Sequence, residues 1–145
     1  MLSYPQIFFF GGTAMNPHFS DITPREREIL ARLRFCPQVF LGEKSLGNFR
    51  HFCGGYQFAM ETAGLRDRHN LLPDGLNEFT AAFLNTDPGT RDCFTQIIEA
   101  QPDEEQALEL FFRILDACLK ENGLEPLPVV ADWAEFRSIW QDWVF

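Results

Sequence analysis

The sequence lacks a long hydrophobic run and any excess of basic residues. The apolar run 7–10 has only four residues, and no basic residue precedes it as in a secretory signal. No segment approaches the roughly 20 apolar residues that span a bilayer. We therefore expect a soluble, cytoplasmic protein that does not enter membranes.

Paired cysteines are also missing, because the chain has no C-x-x-C motif. Its four cysteines are Cys36, Cys53, Cys93 and Cys118. Zinc knuckles and thioredoxin-type sites are excluded by this spacing. The three histidines are too far apart in sequence for a zinc-binding pair. We expect reduced, buried thiols and no metal or other cofactor.

The net charge of −9 is concentrated in one half of the chain. Residues 1–70 hold eight Lys/Arg and six Asp/Glu, whereas residues 71–145 hold four and fifteen. The second half therefore carries −11. Such a surface repels nucleic-acid phosphates and anionic lipids, and it attracts a basic protein.

Apolar periodicity predicts an all-α fold, a single domain over 1–145 built as an irregular bundle of five to six helices. An extended N-terminal arm, 1–19, is expected to hold a strand at 7–10 that packs on helices or on a second subunit. A proline-rich connector, 124–131, leads to a terminal helix. The predicted helix starts are Thr23, Ser45, Thr90, Asp103 and Asp132, and a shorter third helix marked by Leu72, Leu76, Phe79 and Phe83 is predicted after Pro73.

The fifth predicted helix, from Asp103 to Gly123, is apolar over most of its circumference and should lie at the centre of the fold. Its polar stripe places Glu109/Arg113 and Asp116/Lys120 at pairing distance. Glu28/Arg32 are spaced in the same way on the first helix. The second helix, from Ser45 to Gly64, contains Gly54-Gly55, for which we expect a close helix crossing or a bend. The terminal helix has an aromatic face: Trp133, Phe136, Trp140 and Trp143.

Catalytic motifs are incomplete. His51 and Cys53 are two residues apart, so on a helix their side chains point in different directions. Lys44-Ser45 follows Glu43 in place of the glycine of a phosphate-binding loop. We predict that the protein is not an enzyme. The alternative is a cysteine-dependent hydrolase that uses Cys53 with a histidine brought near by the fold.

Several short strings resemble small uncharacterised helical bacterial proteins in which a YLG-x-KS segment precedes an E-x-A-x-x-x-FF helix. The resemblance covers about residues 37–119 and rests on these strings: Phe-Leu-Gly-Glu-Lys-Ser at 40–45, Gly55-Tyr56, Phe79, Phe83, and Glu105, Ala107, Phe111 and Phe112. The chain departs from it at residues 89–92, where Gly-Thr-Arg-Asp replaces an expected Gly-Trp. The resemblance implies an immunity or toxin-neutralising role.

These features together predict a non-enzymatic protein-interaction module, acidic and of immunity or inhibitor type. The expected contact residues are Glu104, Glu105 and Glu109 at the start of the apolar helix. The expected partner is another protein, either a basic one or a second copy of the chain. Neither nucleic acid nor a membrane is expected as a partner.

Overall fold

The computed structural model describes residues 8–10, 13–15 and 20–140, and it confirms the all-α fold. A 3₁₀ turn, Arg66–Arg68, lies between the third and fourth helices. The described part of the chain forms seven α-helices, one more than predicted, because Pro37 ends one helix and begins another. They are α1 Pro24–Phe35, α2 Pro37–Leu41, α3 Leu46–Thr62, α4 Leu76–Leu84, α5 Cys93–Ala100, α6 Glu104–Glu121 and α7 Trp133–Ile139.

The N-terminal arm contains a small hairpin. Strand β1, Phe8–Phe10, pairs antiparallel with β2, Thr13–Met15, and β2 lies beside α6. The strand expected at 7–10 is thus confirmed over 8–10, and its pairing with a second strand was not predicted. The rest of the arm 1–19, like Trp143, lies outside the described residues.

Helix α6 is the centre of the core, as its apolar circumference predicts. It contacts α3, α4 and α5. Phe111 is 1% exposed, and its ring centroid lies 4.8 Å from that of Phe49 and 5.5 Å from that of Phe94, with which it stacks. The phenylalanine excess is therefore used in part to join α3, α5 and α6.

Helix α3 begins and ends where the sequence predicts. The Ser45 hydroxyl accepts a hydrogen bond from the Asn48 amide at 3.2 Å, and Gly64 has φ +71° just after the last turn. The expected close crossing at Gly54-Gly55 is wrong. A Cβ at either position would meet nothing within 4 Å, because this face of α3 is exposed.

Helix α5 starts later than predicted. Its capping residue is Asp92, whose carboxylate accepts a hydrogen bond from the Thr95 amide at 2.8 Å. Thr90 lies two residues too early to reach the free amides of the first turn, so the prediction that it caps this helix is wrong.

The predicted connector 124–131 contains no helix, and α7 follows it with Asp132 as its cap. The α7 aromatic face packs on this chain's own α1. The Phe35 ring centroid lies 4.8 Å from that of Trp133 and 5.9 Å from that of Phe136. The Arg32 guanidinium lies 4.8 Å from the Phe136 ring, a cation–π contact that holds α7 against α1.

Candidate binding cleft beside the acidic end of α6

The three predicted contact residues all lie at the exposed N-terminal end of α6. Asp103 caps the helix by accepting a hydrogen bond from the Gln106 amide at 2.9 Å. Glu104 and Glu105 occupy the first turn, where the helix dipole favours negative charge. Glu109 follows Glu105 by four residues on the same face. The sequence thus places these carboxylates correctly on one helix end.

The structure brings this end of α6 against the residues that open α3. Lys44 Nζ lies 2.7 Å from a carboxylate oxygen of Glu109 and 3.6 Å from one of Glu105. The hydrogen bond that Lys44 donates to Glu109 is the main reason that the pKa of Lys44 is raised. The Gly47 amide donates to Glu104 at 3.3 Å, so this carboxylate accepts from a free amide in the first turn of α3.

A cleft of about 420 Å³ opens beside this contact. Its walls come from the end of α1, the start of α2, Lys44, one face of α6 and the connector. Val129 of the connector is 73% exposed and forms part of the wall. The lining residues are Arg34, Pro37, Lys44, Gln101, Gln106, Leu108, Glu109, Leu110, Phe112, Arg113 and Val129. The cleft therefore combines apolar walls with a charged rim.

Asp116 fixes the far side of the cleft through both of its carboxylate oxygens. One accepts a hydrogen bond from Arg34 at 2.7 Å, and the other accepts one from the Leu127 amide at 3.0 Å. Leu127 is buried, so the connector is held against α6 close to Val129. The predicted Asp116/Lys120 pair is consequently replaced by an ion pair between helices.

The predicted Glu109/Arg113 pair is also replaced, because Glu109 contacts Lys44 instead. Arg113 is exposed, lines the cleft and makes no ion pair with any other described residue. Sequence spacing along one helix does not reveal such competition, since Lys44 lies far away in the chain.

A second polar cluster, formed by Thr23, Glu26, Tyr56 and His69, lies under the N-terminal end of α1. Glu26 is 0% exposed, and its carboxylate accepts hydrogen bonds from the hydroxyls of Thr23 and Tyr56. His69 Nδ1 lies 3.0 Å from Glu26 Oε2. An ionised carboxylate can only accept, so His69 donates from Nδ1. The cluster links α1, α3 and the segment after the 3₁₀ turn.

Burial alone would raise the pKa of Glu26, but the hydrogen bonds from Thr23, Tyr56 and His69 outweigh it and hold that pKa below its ordinary value. The pKa of Tyr56 is raised by burial and by the adjacent carboxylate. The sequence analysis identified Thr23 only as the start of the first helix. It missed the cluster, because Tyr56 and His69 are distant in sequence.

Cys53 does not have the surroundings of a nucleophile. It is 2% exposed, and burial raises its pKa, with Cys93 as the next contribution. A reactive cysteine needs the opposite shift and an accessible sulfur. His51 is exposed, and His69 is engaged by Glu26. The geometry of the described residues gives the hydrolase alternative no support, and His18, the other histidine considered as a base, lies outside them.

Comparison of the chain with protein-family models, curated proteins and solved structures gave no match. Among the described residues, no helix is both long and apolar enough to cross a membrane. The same residues contain no group of three or more His, Cys, Asp or Glu side chains able to hold a metal ion. The function therefore has to be argued from the cleft and its charges.

Proposed function

We propose that this chain is a non-enzymatic binding protein that holds a basic partner protein in the cleft beside the N-terminal end of α6. The observation that carries the proposal is the position of the acidic residues. Glu109 lines a cleft with apolar walls, and Glu105 reaches the same cleft through Lys44. The carboxylates therefore flank a concave surface that can receive a side chain from a partner.

The charge at the N-terminal end of α6, beside the cleft, favours a basic partner, although the lining of the cleft itself holds Arg34, Lys44 and Arg113 against the single carboxylate of Glu109. The side chains of Glu105 and Glu109 are 65% and 58% exposed, so both keep contact with solvent although they contact Lys44. One lysine cannot neutralise two carboxylates, and Asp103 and Glu104 add further negative charge. Complementary charge of this kind accelerates encounter and selects against acidic competitors.

The apolar walls supply a place for an anchor residue. Val129 is largely exposed, and Leu110, Phe112 and Pro37 line the cleft with it. Interfaces gain most of their affinity from a few side chains buried in such pockets, whereas rim charges contribute mainly to specificity. We therefore expect a partner segment with an apolar side chain close to lysine or arginine.

Selection from a displayed library of random twelve-residue peptides tests this proposal with defined ligands. Peptides enriched on the native protein should carry lysine or arginine beside an apolar residue. Their binding should fall in the double variant Glu105→Lys/Glu109→Lys and in Val129→Asp. The matched control Glu78→Lys/Glu125→Lys changes the net charge equally at exposed positions outside the cleft, and it should retain binding.

Two results would contradict the proposal. Enrichment of acidic or uncharged peptides would contradict the proposal that the partner is basic. Equal loss of binding in the control variant would contradict the proposal that the partner binds in the cleft. Thermal unfolding of every variant is measured to check that the fold is intact. Sedimentation over a range of protein concentrations separately tests the second copy of the chain as partner. An inhibitor of a basic protein is the biological role that suits this chemistry.

A further inference from the structure

We propose that the exposed face of α3 is a self-association surface, against which a second copy of this chain packs its own α3 in the antiparallel direction. The surface lies outside the cleft, so the inference does not depend on the proposed function. It depends on two neighbouring features of α3. One is the phenylalanine Phe58, which is exposed to solvent, and the other is a notch one turn earlier, where Gly54-Gly55 carry no side chains.

The middle of this face of α3 is neither polar nor packed. Phe58 is 72% exposed, and a Cβ at Gly54 or Gly55 would meet nothing within 4 Å. Glycine disfavours a helix relative to alanine, and no described element of this chain crosses α3 here to make use of the free space. A contact with another molecule gives both the exposed ring and the glycine pair a role.

The order of the two features along α3 makes the face complementary to itself. Residues four apart lie on one side of a helix, about 6 Å apart along its axis, so Phe58 and Gly54 are neighbours. When two such helices pack antiparallel about a two-fold axis level with Tyr56, residue 58 of each copy lies opposite residue 54 of the other. Each phenyl ring then fills the other copy's notch, and the two-fold symmetry forms both contacts at once.

The polar residues at the edges of the face favour the same arrangement. The axis that sets Phe58 opposite Gly54 also sets His51 opposite Glu61 of the other copy, where the carboxylate can accept a hydrogen bond from the imidazole. Both side chains are exposed, and the one ion pair of Glu61 among the described residues is a 3.5 Å contact with the exposed Arg66. Antiparallel packing also brings opposite ends of the two helix dipoles together. Parallel packing would set like residues side by side and would seat neither ring.

Sedimentation equilibrium of the native protein from about 10 µM to about 1 mM measures the association, because a single helix pair buries less than the roughly 1,200 Å² of a stable interface and should form a weak dimer. Phe58→Gln removes the ring, and Gly54→Gln fills the notch with a good helix former. Each should weaken dimerisation at least about tenfold. Val39→Gln is the matched control, because it removes another apolar side chain, 62% exposed on α2, and it should dimerise like the native protein.

Mixing the two variants gives a readout that a loss of stability cannot imitate. In a mixed dimer, Phe58 of the Gly54→Gln copy still meets the intact glycines of the Phe58→Gln copy, so one of the two contacts is kept. The mixture should therefore associate more tightly than either variant alone. Urea unfolding of dilute Gly54→Gln should show a fold at least as stable as the native one, since the helix loses a glycine.

Three results would overturn the inference. The first is a native protein that stays monomeric up to about 1 mM. The second is a dimer that Phe58→Gln and Gly54→Gln leave unchanged, which would assign the association to another surface. The third is an equal loss of association in Val39→Gln. None of them bears on the cleft, whose basic partner is decided by the peptide selection.

Discussion

Removing the charge of Glu26 should destabilise the fold, because this buried carboxylate holds three hydrogen-bond donors from different parts of the chain. Two substitutions separate the charge from the side chain. Glu26→Gln keeps the shape, and its amide oxygen can still accept from Tyr56 and His69 while its amide group faces Thr23. Glu26→Ala removes every acceptor and leaves the hydroxyl of Tyr56 and the ring of His69 without their partner.

The magnitudes follow from what each variant loses. Hydrogen bonds to a charged group contribute about 1.5–3 kcal/mol each, but part of the loss in Glu26→Gln is offset because no buried charge needs to be desolvated. We expect a loss of about 2 kcal/mol in the free energy of unfolding at neutral pH. Glu26→Ala should lose about 4 kcal/mol, since removing one partner of a buried pair costs about 3–5 kcal/mol. For a chain of this length, this loss lowers Tm by about 8–16 °C.

The pH dependence supplies an independent check. The folded pKa of Glu26 lies below its ordinary value of 4.5, so the carboxylate's contribution is fully present above the unfolded pKa and is lost as the pH falls through the folded pKa. The stability gap between native protein and Glu26→Gln should therefore be constant near neutral pH and shrink below about pH 4.5.

Urea unfolding followed by circular dichroism at a series of pH values measures this gap. Glu78→Gln is the matched control, because Glu78 is an exposed glutamate in the first turn of α4. A Glu26→Gln variant within about 0.5 kcal/mol of the native protein would refute the reasoning, as surface substitutions usually stay in that range. A gap that does not shrink in acid would show that the charge is not responsible.

Three further predictions concern the helices and the thiols. Phe111→Ala should cost about 3–5 kcal/mol in urea unfolding, because its ring is buried against three other phenylalanines; a neutral effect would contradict its central position. Gly54→Ala and Gly55→Ala should each stabilise by about 1 kcal/mol, since an added Cβ meets nothing, and a loss of stability would indicate an unseen contact. Cys53 should resist alkylation in the native state at neutral pH, whereas the less buried Cys36 reacts first; rapid labelling of Cys53, identified by mass spectrometry, would revive the hydrolase alternative.

The predictable part of the fold is local in sequence. The cap of helix α6 at Asp103 and its position at the centre of the core were both predicted. Capping and apolar periodicity depend only on about twenty consecutive residues. The same holds for α3, from Ser45 to Gly64. The cap of α5 was misplaced, since Thr90 and Asp92 are both good capping residues and only the surrounding packing selects between them.

The site was predictable in part. The carboxylates of Glu104, Glu105 and Glu109 follow from the helix start, but the cleft beside them is made by segments far apart in the chain. Lys44 and Val129 line it from positions that no spacing rule connects to α6. The same limit applies to Glu26, whose buried environment depends on donors contributed by α3 and by the segment after it.

Ion pairs between the two halves of the chain leave part of the negative charge of the second half unpaired at the N-terminal end of α6. Four described ion pairs join the basic first half to the acidic second half: Arg34–Asp116, Lys44–Glu105, Lys44–Glu109 and Arg50–Asp92. Asp92 and Asp116 each meet one arginine. Lys44 faces two carboxylates, and Asp103 and Glu104 lie beside them with no lysine or arginine within 4 Å among the described residues. Four carboxylates at this end of α6 therefore share one lysine, whereas the exposed Glu78 and Glu125 are single acidic residues elsewhere on the described surface. A basic partner should therefore associate more slowly as salt is raised, and reversing charge at Glu105 and Glu109 should remove most of that dependence.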